Sequence, residues 1–168
     1  DNTDLFIEEV GPDGRSVREG DEFVACERRR EVIRVKGKPA IEEDVLVTPR
    51  GPIVGPALEG EVESVSMRAT WLDSRPLQGL LRIHRARDLG EFRSAFEQWP
   101  LVSLCMAYAD TSDSIGWQVV GDAPRRRKGW GTIPMPGWDA DVGWHADPVP
   151  FDRMPHVVDP ESGYAAVA

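Results

Sequence analysis

Cysteine and long apolar runs are both scarce in this chain. Its 168 residues include two cysteines, Cys26 and Cys105, too few for a disulfide framework and without the CxxC spacing of metal or redox sites. We expect both to be packing residues. No run of about eighteen apolar residues occurs, so the sequence predicts no membrane-spanning helix and no membrane partner. No secretory signal opens the chain, but because it does not begin with Met this says nothing about location.

Positively charged residues are fewer than negatively charged ones. Lys and Arg number 20 against 29 Asp and Glu, which gives a formal net charge of -9. Binding nucleic acid requires a positive surface that displaces counterions from phosphates, so we expect no nucleic-acid partner. The three histidines, His84, His145 and His156, are far apart and have no second ligand at metal spacing, which argues against zinc. GxSxG and Gly-rich phosphate-loop motifs are missing as well.

What is present predicts a single segment, mostly antiparallel β with a helical pair. Apolar and alternating runs separated by Gly/Pro turns predict a β meander over residues 1–70. The spacing of apolar residues predicts two helices over 75–99. Two apolar runs around an acidic turn predict a β-hairpin over 101–121. The remainder, 122–168, is rich in Pro, Gly and Trp, which is typical of a segment that wraps another surface.

Start and stop signals locate the helices and the hairpin more closely. Pro76 fits the first turn of the first helix, and Asp88 with Glu91 three residues later resembles a capping box that starts the second. "LVSLCMAYA" is almost wholly apolar, as expected for a strand covered on both faces. We expect "SIGWQVV" to pair with it across a turn at residues 110–114.

Three features leave alternatives open. "DNTD" at residues 1–4 is either a polar turn, which we favour from the local sequence, or part of a calcium loop. "PRRRKGW" at 124–130 could grip a phosphate or carboxylate, but short charge runs are usually solvated. The tryptophans of the final segment, Trp130, Trp138 and Trp144, could stack on sugars or, more simply, anchor irregular backbone.

Eight short stretches follow one another in a recognisable order: "DLFIEEV", "RREVIRVKG", "VTPRGPIV", "ATWLDSRPL", "YAD", "SIGWQVVGDAPRR", "IPMPGW" and "MPHVVDPESGY". This order resembles the β-subunit of the penicillin acylase (penicillin amidase) family of N-terminal nucleophile hydrolases. The resemblance covers nearly the whole chain. The chain departs from the family where Arg50 replaces a frequent His, where Cys105 stands at a position usually held by Asn, and where the turn after "YAD" lacks its common Gly.

The resemblance implies a fold and an activity. The fold is α+β, part of the αββα sandwich of N-terminal nucleophile hydrolases. The parent enzyme would hydrolyse an acyl amide with a serine exposed at a new N-terminus, whose α-amine is the base; that serine would lie roughly 70 residues before Asp1. The oxyanion Asn would follow Ala168 directly. We therefore expect no catalytic residue within this segment and no activity from the segment in isolation.

The resemblance also implies site residues and partners. Asp1, the carbonyl of Thr3, Asp4 and a carbonyl near Gly131 match a calcium-binding stretch whose remaining ligands would lie outside this chain. Structural calcium and a plain polar turn are therefore equally open here, and no organic cofactor is implied. Leu104 matches an apolar wall of the acyl pocket, although an ordinary core role is equally open. The expected partners are a small-molecule acyl amide and the remaining α- and β-subunit segments of the precursor, in a periplasmic or secreted protein.

Two other functions stay open at this stage. The chain could be a non-catalytic β-rich binding or interaction module that shares the acylase architecture. A carbohydrate binder that uses the three tryptophans of the final segment is the weakest alternative. Penicillins, cephalosporins, acyl-homoserine lactones and cyclic lipopeptides are all handled within the family, so the resemblance leaves the substrate unassigned.

Overall fold

The computed structural model describes residues 2–55, 64–73, 75–101 and 103–166. No helix in this part of the chain is long and apolar enough to cross a membrane. Contacts divide the chain into two compact units. In chain order the elements are β1 Thr3–Glu8, β2 Ser16–Glu19, β3 Glu22–Ala25, β4 Glu27–Ile33, β5 Ile41–Thr48, β6 Gly51–Pro52, β7 Ser64–Ala69, α1 Leu80–Ile83, α2 Leu89–Ala95, β8 Leu104–Ala109, β9 Ile115–Val120, β10 Arg126–Lys128, β11 Met135–Pro136, β12 Gly143–Trp144 and β13 His156–Val158.

The first unit contains the described residues of Thr3–Ala69 and Arg126–Trp144. Its central strand is β1, which pairs antiparallel with β7 and parallel with the short β11. The hairpin β2–β3, the sheet β4–β5–β6 and the pair β10–β12 complete it. Side chains alternate between the two faces of a strand, and in β1 the buried face carries Asp4, Phe6 and Glu8. Two carboxylates therefore flank a buried ring on one strand.

The second unit contains the described residues of Thr70–Arg125 and His145–Ala168, with Asn2. Its sheet has the order β13–β9–β8, and all its pairs are antiparallel. α2 packs on this sheet through an apolar cluster in which the rings of Phe92 and Phe96 meet edge to face at 5.1 Å. The buried members of the cluster are Leu89, Phe92, Phe96, Trp99 and Val120.

The start of α2 agrees with the capping signal in the sequence. The Asp88 carboxylate accepts a 2.7 Å hydrogen bond from the backbone N–H of Glu91. The Glu91 carboxylate accepts in turn from the backbone N–H of Arg87 at 3.0 Å. Both bonds satisfy N–H groups at the helix start that have no partner within the helix.

The first helix is shorter than predicted. The prediction that Pro76 opens it is wrong, because residues 75–78 are not helical and α1 begins at Leu80. Gly79 precedes it with φ +90°, a left-handed conformation that glycine adopts readily. A Cβ on Gly79 would lie 1.6 Å from the carbonyl oxygen of Ala95, so this glycine also lets the two helices approach closely.

The predicted hairpin is confirmed in its pairing. β8 and β9 run from the pair Leu104–Val120 to the pair Ala109–Ile115, and the N–H of Asp110 donates to the carbonyl of Ser114 at 3.0 Å. The expectation that β8 is covered on both faces does not hold within this chain. In the part of the chain that the structure describes, β8 lies at the sheet edge and most of its residues are exposed.

Candidate functional site

The residues predicted to bind calcium fall at the start of β1 and in the loop after β10. Asp1 lies outside the described residues. Thr3 and Asp4 open β1, paired with Ala69 and Arg68 of β7. Asp4 is on the buried face of the strand, with its side chain 7% exposed. The structure brings Gly131 to the same carboxylate, since a Cβ on this glycine would lie 2.2 Å from Asp4 Oδ1.

Two side chains from the final third of the chain hold the Asp4 carboxylate. Arg126 donates from Nε to Oδ1 at 3.0 Å and to Oδ2 at 2.9 Å, and from Nη2 to Oδ1 at 2.7 Å. The indole Nε1–H of Trp144 donates to Oδ2 at 2.6 Å. The single Nε–H of Arg126 is shared between the two oxygens, so three N–H groups are directed at a carboxylate that has about four acceptor sites in all.

The described residues fit calcium poorly at this point. Calcium takes six to eight oxygen ligands, usually including several carboxylates. Within the described residues, Asp4 is the carboxylate of the predicted set, and both its oxygens already accept hydrogen bonds from Arg126 and Trp144. Nowhere in residues 2–55, 64–73, 75–101 and 103–166 do three or more His, Cys, Asp or Glu side chains gather as a cation site. Calcium binding stays a prediction of the resemblance.

Trp144 connects the Asp4–Arg126 ion pair to a second arginine. The guanidinium carbon of Arg68 lies 4.6 Å from the centroid of the Trp144 ring, a cation–π geometry. Arg68 is the residue of β7 that pairs with Asp4 in the backbone register. The indole therefore joins a cation on its face to a carboxylate at its N–H.

A second ion pair is buried at the other end of the same face of β1. The Glu8 side chain is fully buried, and its carboxylate accepts from Arg50 Nε at 2.8 Å and from Arg50 Nη2 at 2.6 Å. The hydroxyls of Ser66 and Thr48 also donate to it. Burial opposes the charge on Arg50, but its bonds to Glu8 and Glu19 outweigh this and raise its pKa.

The two buried pairs share one design. Each carboxylate projects from β1, each arginine comes from a distant segment, and a glycine lies against each pair. At the second pair this is Gly137, where a Cβ would lie 2.7 Å from Glu8 Oε2 and 2.8 Å from Arg50 Nε. A side chain at either glycine would therefore push the pair apart.

Neither arginine is predicted from the sequence. Arg126 stands in a charge run that is typical of solvated residues, and Arg50 stands out only as a departure from the resembled family. Their partners are 122 and 42 residues away in sequence, so no local pattern links them. A signal did exist in β1, where Asp4 and Glu8 share the face of Phe6 and so had to be buried with counter-charges.

Leu104, the predicted pocket residue, lies at the start of β8 and is 42% exposed. Its strand neighbour across the hairpin is Val120, which is fully buried in the apolar cluster. At the far end of the hairpin, the Tyr108 hydroxyl donates to Asp110 at 2.9 Å. Burial, and then this bond and the charge of Asp110, raise the pKa of Tyr108 to about 12.

Neither cysteine is bonded in a disulfide. Cys26 is partly buried and Cys105 is exposed on β8. Burial, followed by the nearby charge of Glu8, raises the pKa of the Cys26 thiol. A thiol of raised pKa carries little thiolate at neutral pH, so Cys26 lacks the character of a nucleophile.

Comparison with known proteins gives one consistent family. A family model described as penicillin amidase matches residues 1–168. Acyl-homoserine lactone acylase QuiP of Pseudomonas fluorescens is 33% identical over 178 residues, which is 100% of this chain and 21% of that protein. Penicillin acylase 2 proenzyme of a Pseudomonas species is 33% identical over 169 residues, 98% of this chain and 21% of that protein. The chain thus spans about a fifth of the length of these relatives.

A solved structure supports the same fold. Thermostable penicillin G acylase from Alcaligenes faecalis aligns with 98% of this chain and 30% of its own, at a TM-score of 0.84 and 24% identity. At that identity the match establishes the fold alone, which this chain shares with that acylase. The predicted fold class, mostly antiparallel β with a helical pair, is confirmed.

Proposed function

Because the chain belongs to the penicillin amidase family, we propose that it is a structural segment of an amidohydrolase that cleaves a small acyl amide. The observation that carries this proposal is the family match over every residue from 1 to 168, joined to the shared fold. Relatives of two different names, a penicillin acylase and an acyl-homoserine lactone acylase, match the chain equally well. The proposal therefore commits to the amide bond and leaves the acyl and amine parts open.

The chemistry of the proposal comes from outside these residues. An N-terminal serine would attack the amide carbonyl, and its own α-amine would take the hydroxyl proton and return it to the leaving amine. Both groups belong to one residue, so they need a scaffold that fixes that residue within a fraction of an ångström. We propose that this chain supplies part of that scaffold and that the remaining segments of the precursor complete it.

The buried pairs on β1 suit that role. Truncating either partner of such a pair leaves an uncompensated buried charge, so each pair resists separation of the strands that carry it. β1 is held in this way to the loop of Arg50 at one end and to β10 and β12 at the other. This gives the central strand of the first unit a fixed register.

Leu104 is the proposed contact with substrate. An apolar side chain that is 42% exposed on an edge strand can be covered by an acyl chain at a gain of about 0.8 kcal/mol per buried methylene. Selection by such a wall favours longer acyl groups over shorter ones. Export to the periplasm or the medium stays a prediction from the resemblance.

The test is hydrolysis by the intact protein that contains this chain. The purified protein is incubated with a phenylacetyl amide and, separately, with an N-acyl-homoserine lactone, and the free amine is measured. We expect turnover of at least one, and none after the N-terminal serine is changed to alanine. Turnover that survives the alanine change would overturn the serine mechanism, and a protein inert toward a broad acyl-amide panel would favour a binding module.

A further inference from the structure

The fold family implies calcium beside Asp4, but the geometry of this chain points to another cation there. We infer that the guanidinium of Arg126 is the permanent counter-cation of Asp4, so that this position is stabilised without a divalent metal. The inference concerns the stability of the first unit and does not depend on the proposed activity.

The Asp4 carboxylate already has hydrogen-bond donors at both of its oxygens. Arg126 and Trp144 direct three N–H groups to the two Asp4 oxygens, with N···O distances from 2.6 to 3.0 Å, and both oxygens accept. A metal ligand must offer a lone pair to the cation. Calcium at Asp4 would have to compete with these donors for the carboxylate lone pairs and to lie against a guanidinium of the same charge sign.

The loop backbone at Gly131 leaves no room beside the Asp4–Arg126 ion pair. Gly131 adopts φ +74°, and a Cβ there would lie 2.2 Å from Asp4 Oδ1 and 2.6 Å from both Nε and Nη2 of Arg126. The loop backbone therefore closes directly over the ion pair. Only a residue without a side chain permits this approach. Gly131 is therefore required for the Asp4–Arg126 ion pair in its present geometry.

Both side chains of the Asp4–Arg126 ion pair are largely buried. The Asp4 side chain is 7% exposed and that of Arg126 is 17% exposed. A carboxylate this deeply buried needs a compensating charge. Arg126 supplies that charge covalently from β10, so it is present whether or not a metal ion is available.

Terbium luminescence provides a local test on the intact protein. Tb³⁺ replaces Ca²⁺ at oxygen sites and emits when a nearby indole is excited, and Trp144 donates directly to Asp4. We expect the same Tb³⁺ emission from the wild type and from Trp144→Phe. Emission that is lost in Trp144→Phe and is displaced by about 5 mM Ca²⁺, a concentration that saturates even weak extracellular sites, would overturn the inference.

Hydrogen exchange tests the role of the arginine itself. The variant Arg126→Gln should accelerate exchange of the β1 amides at least about tenfold, because it leaves a buried carboxylate without a counter-charge. The matched control is Arg125→Gln, which removes the same charge from the neighbouring, exposed position. Adding Asp4→Asn to Arg126→Gln should restore part of the protection. Equal exchange in Arg126→Gln and Arg125→Gln would overturn the inference.

Discussion

The buried pair of Glu8 and Arg50 allows a quantitative prediction. The perturbation is Arg50→Met, which keeps most of the side-chain volume but removes the charge and both hydrogen bonds to the carboxylate. Glu8 is fully buried and, among the described residues, would retain the hydroxyls of Ser66 and Thr48 as its side-chain donors. Removing one partner of a buried ion pair costs about 3–5 kcal/mol.

The assay is hydrogen exchange at the amides of β1 in the intact protein. Since 1.4 kcal/mol corresponds to a factor of ten, the expected loss predicts exchange that is about 10²- to 4 × 10³-fold faster. The matched control is Arg28→Met, which removes an arginine from an ion pair with Asp44 whose two side chains are substantially exposed. Such exposed pairs contribute little, so we expect the control to leave β1 unchanged.

A double variant separates the buried charge from ordinary packing. Glu8→Gln combined with Arg50→Met removes both charges, so no uncompensated carboxylate remains, and the exchange rate should fall back toward that of the wild type. The reasoning is refuted if Arg50→Met exchanges no faster than Arg28→Met. It is also refuted if the double variant loses as much protection as the sum of the two single variants.

Three further predictions concern separate parts of the chain. Gly131 and Gly37 share φ +74°, but of the two only Gly131 would place a Cβ against a carboxylate, 2.2 Å from Asp4 Oδ1. Gly37→Ala should lower the free energy of unfolding in urea by about 1–2 kcal/mol, the cost of a left-handed alanine, and Gly131→Ala should lower it clearly more. Equal losses would contradict the close approach. The difference between the absorbance titrations of the wild type and of Tyr108→Phe should give a pKa of about 12 for Tyr108. The stability that this group contributes is present below its usual pKa of 10.0 and is lost as pH rises toward 12. A midpoint near 10 would contradict this prediction. Leu104→Ala should lower kcat/KM about tenfold for the longest acyl chain accepted and little for the shortest. The control Leu81→Ala, at an exposed helical position, should leave both kcat/KM values unchanged. An equal loss of kcat/KM for long and short acyl chains would contradict a role for Leu104 in the pocket.

The sequence predicted what depends on neighbouring residues. The hairpin β8–β9 and the start of α2 follow from apolar runs and from short-range signals, namely the acidic turn at Asp110 and the spacing of Asp88 and Glu91. These interactions span only a few residues, so a pattern in one short window contains all the participants.

The sequence could not predict what depends on distant partners. Arg126 belongs to a run of four cations, and nothing in that run distinguishes the member that reaches Asp4, 122 residues away. α1 was predicted to begin too early because Pro76 is a good helix start, whereas contact with Ala95 requires a left-handed Gly79. Propensity is a weak prior, and tertiary packing overrode it here.

The central claim is that this chain is scaffold for a nucleophile carried by other sequence of the same protein. Its most direct test is to react the intact protein with a slowly deacylating acyl substrate, quench in acid, digest, and map the acyl adduct by mass spectrometry. The account predicts an adduct on an N-terminal serine of a peptide outside residues 1–168 and none within them. An acyl group found on a serine, threonine, cysteine or lysine of these 168 residues would contradict it.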